Sequence, residues 1–270
     1  MLRRGTRFLA AVMATAAMIT ACSGGDESTD DRVETDQMTF EVTEPVTSLE
    51  IEASAGNVDI VATDDGALRV DLELRFTGST PEVERTIDEG RLVIRHGCRG
   101  LQAVCAVDYH VRLPAGVAVT LDSGSGDVAI DGLTADVIVQ VGSGDLTLTD
   151  LTGDVTVHSG SGNITVTEAS SALNLQTSSG NITGLRLTSL EVDLATSSGH
   201  IEVSFEAAPS GFDARTRSGH ITVKVPKGVP YRISATALSG TVHVEVPTDS
   251  NAPRSMVITT SSGNVEILEQ

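Results

Sequence analysis

A four-residue motif of Ser, Gly, a polar residue and an aliphatic residue occurs eight times between residues 125 and 265. Its glycines are separated by 18, 18, 18, 19, 20, 21 and 23 residues. A repeat of this length indicates structural units that stack, because one such unit is too small to bury a hydrophobic face alone. The eight motifs are Ser125–Val128, Ser143–Leu146, Ser161–Ile164, Ser179–Ile182, Ser198–Ile201, Ser218–Ile221, Ser239–Val242 and Ser262–Val265. A ninth, less regular copy at Ala55–Val58 predicts that the array begins earlier and is interrupted.

Between the motif glycines, apolar residues alternate with polar ones. The unit that starts at Val128 continues with Ile130, Leu133, Val137 and Val139. Alternation with a period of two predicts strands with one buried face, so each unit is two short strands joined by turns. The motif glycine supplies a positive φ or a close backbone approach at each corner. We therefore predict an all-β fold, a β-solenoid with coils of 18–23 residues and a length of about 40 Å.

The region before the regular array has a weaker pattern. We expect one short helical turn at Thr80–Arg85, because Pro is favoured at the first helical position. The sequence of Val111–Val117 recurs in similar form at Val223–Val229, which indicates that both halves belong to one continuous domain, residues 38–270. The predicted strands in the irregular region are Leu49–Ile51, Val58–Ala62, Ala67–Phe76, Arg91–His96 and Val107–Leu113.

The N-terminus carries an export signal. In residues 1–21, three arginines precede an apolar run of about a dozen residues, which is too short to span a bilayer comfortably. The end of this segment, Ile19–Cys22, resembles the bacterial lipobox, and the whole segment resembles a lipoprotein signal peptide. The resemblance implies cleavage before Cys22 and acylation of Cys22, which would anchor the protein in the cell membrane on its extracytoplasmic side. An ordinary export signal is the alternative interpretation. Residues 22–37 are predicted to form a polar, disordered tether.

Composition excludes some classes of function. The chain has 37 acidic and 18 basic side chains, a formal net charge of −19. Nucleic-acid binding needs a basic face, so no nucleic-acid partner is expected. Trp is absent and only 3% of the residues are aromatic, which argues against wide stacking platforms for bases or sugars. An acidic surface favours a basic protein partner or bridging by cations.

Two cysteines follow the export signal at close spacing. Cys98 and Cys105 are seven residues apart. In an exported protein such a pair is expected to form a local disulfide that closes a loop. A metal site with His96 or His110 is the alternative, but the pair lacks the CxxC spacing of zinc sites.

Stacking turns each repeat position into a column along the solenoid. The residue after each motif glycine forms one column, which includes Asp127, Asp145, His200 and His220. Asn and Asp at this position most simply hydrogen-bond to the backbone and form ladders. The alternative is a metal site: calcium between the two carboxylates, or zinc between the two imidazoles. We expect no cofactor.

A second pair of carboxylates, Asp136 and Asp154, repeats at the start of another strand. A polysaccharide-cleaving β-helix needs converging carboxylates, or calcium with a basic residue in a groove. The basic residues Arg215, Arg217 and Lys224 lie farther along the chain. We therefore expect no enzymatic activity.

The motif repeats, together with Arg112–Gly116 and Lys224–Gly228 before them, resemble the DUF4097 family, which is described as a family of proposed adhesins, and its head-GIN relatives. The similarity covers about residues 38–270. It implies a right-handed, pectate-lyase-like β-helix on the cell surface that acts in adhesion or in contact with the cell envelope. It also leaves open a signalling role beside an envelope-stress system, with a membrane protein as partner, or a polysaccharide-active enzyme.

The lipid anchor at Cys22 is testable with globomycin, which inhibits the peptidase that cleaves lipoprotein signals. We expect the uncleaved precursor to accumulate in treated cells, seen as a band of higher mass on an immunoblot. Untreated cells of the same strain are the control. Cleavage that proceeds equally in both cultures would contradict the lipoprotein interpretation and support an ordinary export signal.

Overall fold

The computed structural model of the protein describes residues 32–64, 66–100 and 102–270. These residues form 23 β-strands and no helix, arranged in two sheets, which confirms the predicted all-β solenoid. Sheet A contains β1 (Glu34–Val42), β3 (Val58–Thr63), β4 (Leu68–Phe76), β7 (Cys105–Pro114), β9 (Val128–Asp131), β11 (Leu146–Leu151), β13 (Ile164–Ala169), β15 (Ile182–Leu187), β17 (Ile201–Phe205), β19 (Ile221–Val225), β21 (Val242–Val244) and β23 (Val265–Glu269). Sheet B contains β2 (Ser48–Ala53), β5 (Glu82–Asp88), β6 (Arg91–Gly97), β8 (Ala118–Ser125), β10 (Val137–Ser143), β12 (Val155–Ser161), β14 (Leu173–Ser179), β16 (Glu191–Ser198), β18 (Gly211–Ser218), β20 (Arg232–Ser239) and β22 (Ser255–Ser262).

Each coil of the solenoid contributes one strand to each sheet. The strands of successive coils pair in parallel and in phase, so that Val137 lies opposite Val119 on one side and Val155 on the other. Residues that alternate along a strand point to opposite faces of its sheet. The inward positions are therefore columns of buried aliphatic side chains, and this continuous core between the sheets gives the fold its stability.

The motif glycines stack directly on one another at the corner between the two strands of a coil. Gly162 has a φ of 129°, and a Cβ atom placed on it would lie 1.9 Å from the carbonyl oxygen of Gly144. Gly144 stands in the same relation to Gly126, with a distance of 2.0 Å. Both the positive φ and the lack of space exclude any side chain at this corner.

The spatial order of the coils departs from the chain order at both ends. The coil β2/β3 stacks against β8/β9, and Val58 pairs with Val128. This pairing confirms the prediction that Ala55–Val58 is an early copy of the motif and that the array is interrupted after it. At the other end, β22/β23 lies between β18/β19 and β20/β21. The chain therefore skips one position and then returns to fill it, which accounts for the longer glycine spacings of 21 and 23 residues.

The N-terminal end of the solenoid is built from antiparallel strands. In sheet A, β4 pairs with β7 and β1 pairs with β4, and in sheet B, β5 pairs with β6. The helical turn expected at Thr80–Arg85 is wrong: β5 begins at Glu82 and fills the edge of β6. The connecting residues Glu89 and Gly90 both have positive φ, which is typical of a tight two-residue hairpin. Strand β1 begins at Glu34, four residues before the predicted domain boundary at 38.

Among the described residues, no helix has the length and apolar character needed to cross a membrane. The predicted signal segment 1–21, Cys22 and the tether up to residue 31 lie outside the described residues.

Gly162→Ala tests the stacking of the corner glycines. We expect a loss of about 3 kcal/mol in the free energy of unfolding, because the methyl group meets a backbone oxygen that cannot move away. Urea denaturation followed by circular dichroism measures it. Gly116→Ala is the matched control: no heavy atom lies within 4 Å of the place that a methyl group on Gly116 would occupy, so its stability should change by less than about 1 kcal/mol. Equal stabilities of the two variants would contradict the close-approach argument.

Candidate interaction surface

The residues that follow the motif glycines, together with Asp108 at one end, form a hydrogen-bonded column, here called the turn ladder. Each side chain accepts a hydrogen bond from the backbone N–H of the next residue in the column, over nine steps with distances of 2.7–3.1 Å. In spatial order the ladder contains Asp108, Asn57, Asp127, Asp145, Asn163, Asn181, His200, His220, Asn264 and Thr241. The column therefore has the geometry of a backbone-binding ladder, the simpler of its two interpretations.

The two histidines take part in the ladder through their rings. Nδ1 of His200 accepts the N–H of His220 at 3.0 Å, and Nδ1 of His220 accepts the N–H of Asn264 at 2.9 Å. The rings stack in parallel with centroids 5.1 Å apart. Each imidazole therefore uses Nδ1 as an acceptor in the place of an Asn or Asp oxygen.

The metal hypotheses gain no structural support from the ladder. One oxygen of Asp127 and one of Asp145 accept backbone N–H groups, and the accepting Nδ1 atoms of His200 and His220 are similarly engaged. Within residues 32–64, 66–100 and 102–270, no three or more His, Cys, Asp or Glu side chains are grouped so that they could hold a metal ion. Calcium and zinc binding stay hypotheses for titration.

Asp136 and Asp154 lie at the opposite corner of their coils and form a second, shorter ladder. Asp136 accepts the N–H of Asp154 at 3.0 Å, and Asp154 accepts the N–H of Ala172 at 3.1 Å and the hydroxyl of Ser171. These donors hold the pKa of Asp154 below its usual value, the Ser171 hydroxyl more than the Ala172 N–H. The length of a strand separates this pair from Asp127 and Asp145, so the four carboxylates do not converge as a glycosidase requires.

The cysteine pair and its neighbourhood belong to the N-terminal end of the solenoid. Cys98 and Cys105 form a disulfide with Cα atoms 6.2 Å apart, as their spacing predicts. Nearby, the buried His96 makes a 2.8 Å hydrogen bond between its Nδ1 and the hydroxyl of Tyr109. Burial lowers the pKa of His96 and raises the pKa of Tyr109, so both are neutral at neutral pH.

A groove of about 510 Å³ runs across the outer face of sheet B. Its floor contains Ala195, which lies opposite Gln176 on one neighbouring strand and Arg215 on the other. Because the methyl group of Ala195 is much shorter than its two neighbours, the gap between them forms the groove. His158 and Arg217 also line it.

The basic side chains of the groove differ in their partners. Arg215 forms ion pairs with Asp213 and, at 3.9 Å, with Asp193. Burial raises the pKa of Asp213, Arg215 opposes this rise, and Asp193 adds to it. Arg217, by contrast, is exposed, and its side chain makes no hydrogen bond or ion pair within the described part of the chain. Lys224 lies in sheet A and pairs with Glu202 at 3.0 Å, so it takes no part in the groove.

Arg217 also departs from the repeat. It occupies the position two residues before a motif glycine, where most coils have Gly or Ser. The residues at this position in the regular array are Gly124, Gly142, Gly160, Ser178, Ser197, Arg217, Leu238 and Ser261. The sequence interpretation missed this groove, although aligning the repeats on their glycines marks Arg217 and Leu238 as the two exceptions.

The in-phase parallel strands, the stacked glycines and the turn ladder together define a two-sheet parallel β-solenoid of the kind built from serial Ser-Gly turns. The family model described as Toastrack DUF4097 matches residues 46–268. The chain therefore belongs to the Toastrack DUF4097 family, which confirms the resemblance found in the sequence. No curated protein matches the chain.

Solved structures of bacterial proteins are similar to this chain to different degrees. A structure described as a proposed adhesin from Bacteroides fragilis is 17% identical, with a TM-score of 0.55, and the match covers 87% of this chain and 97% of that one. A proposed cell adhesion protein from Clostridium sporogenes is 12% identical, with a TM-score of 0.29 and coverage of 88% and 100%. A proposed lipid binding protein from Parabacteroides distasonis is 13% identical, with a TM-score of 0.34 and coverage of 87% and 97%.

Substitutions at Asp145 separate the ladder from a calcium site. Asp145→Asn keeps the oxygen that accepts the N–H of Asn163, whereas Asp145→Ala removes it. We expect the Ala variant to lose about 1 kcal/mol and the Asn variant only a few tenths. Melting temperatures with and without calcium measure both effects. A calcium-dependent rise in the wild type that the Asn variant lacks would favour the cation site instead.

Proposed function

We propose that this protein is a non-catalytic adhesion or envelope-interaction module, anchored to the outer side of the cell membrane by lipid on Cys22. The observation that carries this proposal is the form of the surface: a regular array of polar columns, two of which are ladders whose aspartates and histidines accept backbone N–H groups. Membership of the Toastrack DUF4097 family supports it, and so does the description of the Bacteroides fragilis structure as a proposed adhesin.

The absence of enzymatic activity is part of the proposal. Catalysis by a glycan-active β-helix requires carboxylates that converge on one bond, with the acid and base within reach of it. In this chain each of the four candidate aspartates accepts a backbone N–H group, and the two pairs lie at opposite corners of the coils. That arrangement supports a structural role for all four.

The groove of sheet B is the contact site that we propose. The guanidinium of Arg217 is exposed and has no partner among residues 32–64, 66–100 and 102–270, on a chain with a net charge of −19. It is therefore available for a carboxylate, phosphate or carbonyl oxygen of the bound molecule. Gln176 and His158 beside it offer further hydrogen bonds. The partner is a protein or an envelope component that inserts an acceptor group between Gln176 and Arg215.

Arg217→Ser, which restores the residue type of the neighbouring coils, tests this site. Soluble protein of residues 32–270 is incubated with isolated envelopes, cell-wall polysaccharide and matrix proteins, and retained protein and released reducing sugar are measured in the same tubes. We expect retention without sugar release, and about a tenfold loss of retention in the variant, as for one charge-assisted hydrogen bond.

Arg112→Ser is the matched control, because Arg112 is also exposed, has no ion pair within the described residues, and lies on the opposite sheet. Its retention should equal that of the wild type. Release of reducing sugar by the wild type would overturn the non-catalytic role. Equal losses in both variants would show that net charge, rather than the groove, governs binding. Retention confined to membranes of the protein's own cell would favour the signalling role over adhesion.

A further inference from the structure

The two ends of the solenoid differ in how their edge strands are protected. At the N-terminal end the edges are β1 and β5, which carry charged side chains, among them Glu34, Asp36 and Glu41 in β1 and Glu82, Glu84, Arg85 and Asp88 in β5. At the C-terminal end the edges are β20, with Arg232 as its one charged residue, and β21, with none. Charges on an edge strand prevent it from pairing with another chain, and the C-terminal end lacks this protection.

In the last coil, side chains that point into the core between the two sheets are exposed, because no further coil covers them. Val242 lies opposite Val265 and Val244 opposite Ile267. The two inner residues are 0% exposed, whereas Val242 is 42% and Val244 is 36% exposed. Leu238, at the end of β20, occupies the outward position that Arg217 has in its coil, and it adds a further apolar side chain that is 76% exposed. The last coil therefore presents the same apolar surface that every other coil buries.

The crossover back to β22 covers only the start of this edge. Tyr231 donates its N–H to the carbonyl of Pro247 and accepts the N–H of Asp249. Beyond Tyr231, no strand of the described chain pairs with the outer side of β20 or of β21. The open edge runs along β20 in one sheet and β21 in the other.

The geometry points to one occupant, and we propose that a second copy of this chain docks here, end to end. The two open edges lie in two facing sheets, which pack about 10 Å apart. A single peptide strand can pair with one of them, whereas the end of another solenoid with the same sheet separation pairs with both. A two-fold axis across the solenoid brings β20 against its own copy in antiparallel pairing, a self-complementary contact.

Electrostatics favour the same arrangement. Two chains of net charge −19 repel each other, and the repulsion is least where the meeting surfaces are nearly uncharged. The C-terminal edges meet this condition. The N-terminal edges do not, since pairing them would place the carboxylates of β1 and β5 beside their own copies.

Such a dimer would place the two N-termini at its far ends. The described chain enters the fold at β1, on the edge opposite to β20 and β21. Twelve strands at about 4.8 Å make one solenoid roughly 50 Å long, so the dimer would be roughly 100 Å long. If the lipid anchor of the proposed function holds, the dimer bridges two membranes; the pairing itself does not depend on the anchor.

Sedimentation velocity and small-angle scattering of residues 32–270, which contain every described strand, test the inference. We expect a dimer at micromolar to millimolar concentration with a maximum dimension about twice that of the monomer. Leu238→Lys and Thr236→Lys place charges on exposed positions of β20 and should raise the dimer dissociation constant more than about tenfold. Leu190→Lys is the matched control, since Leu190 is a leucine 54% exposed in a turn away from this end, and it should leave the dimer unchanged.

A monomer at all concentrations, a dimer unaffected by Leu238→Lys, or a dimer no longer than one chain would each overturn the inference. These outcomes are separable from a failure of the proposed function. Envelope binding through Arg217 is measured on the face of sheet B, so a monomer that still binds envelopes rejects only the end-to-end contact. A dimer that binds no envelope rejects only the groove.

Discussion

The structure depends on the contact between the backbone of one motif glycine and the Cα of the next. The carbonyl oxygen of Gly162 occupies the place of a Cβ on Gly180, 2.0 Å from where that atom would lie, and the buried hydroxyl of Thr177 donates a hydrogen bond to the same oxygen. Because the contact repeats at every coil, it holds all coils in the same phase. The in-phase aliphatic columns, the parallel pairing and the turn ladder all require this common phase.

The turn ladder shows why the residue after the glycine is free to vary. In the fold it offers an acceptor atom to the next backbone N–H, and an amide oxygen, a carboxylate oxygen or an imidazole nitrogen fills this role. The exchange of Asn181 for His200 and His220 along one column is therefore a change of residue type without a change of role. Chemical identity matters instead where the repeat makes no such demand, as at Arg217.

Much of this fold follows from local pattern. Alternating apolar residues and regular Ser-Gly turns predict two strands per coil. The strands predicted at Val58–Ala62 and Val107–Leu113 correspond to β3 and β7 of the structure. The helical expectation at Thr80–Arg85 failed because the free edge of β6 supplies hydrogen bonds that outweigh local propensity. The order of the last coils was also beyond the pattern, since identical motifs cannot specify which neighbour each one meets. To predict the groove, one must know that Gln176, Ala195 and Arg215 lie side by side, and only the register of the strands shows this.

Because of the displaced order of the last two coils, the coil β20/β21 depends on β22 and β23 for its place in the stack. Strands β22 and β23 follow β20 and β21 along the chain, yet they lie inside the stack and separate β18/β19 from β20/β21. The N–H of Gln270 donates a hydrogen bond to the carbonyl oxygen of Val225, so the chain belongs to the packed structure up to residue 270. Before these residues leave the ribosome, β20 and β21 have no neighbour to pair with. Loss of residues 255–270 would therefore remove β22 and β23 and would also leave β20 and β21 without a strand to pair with.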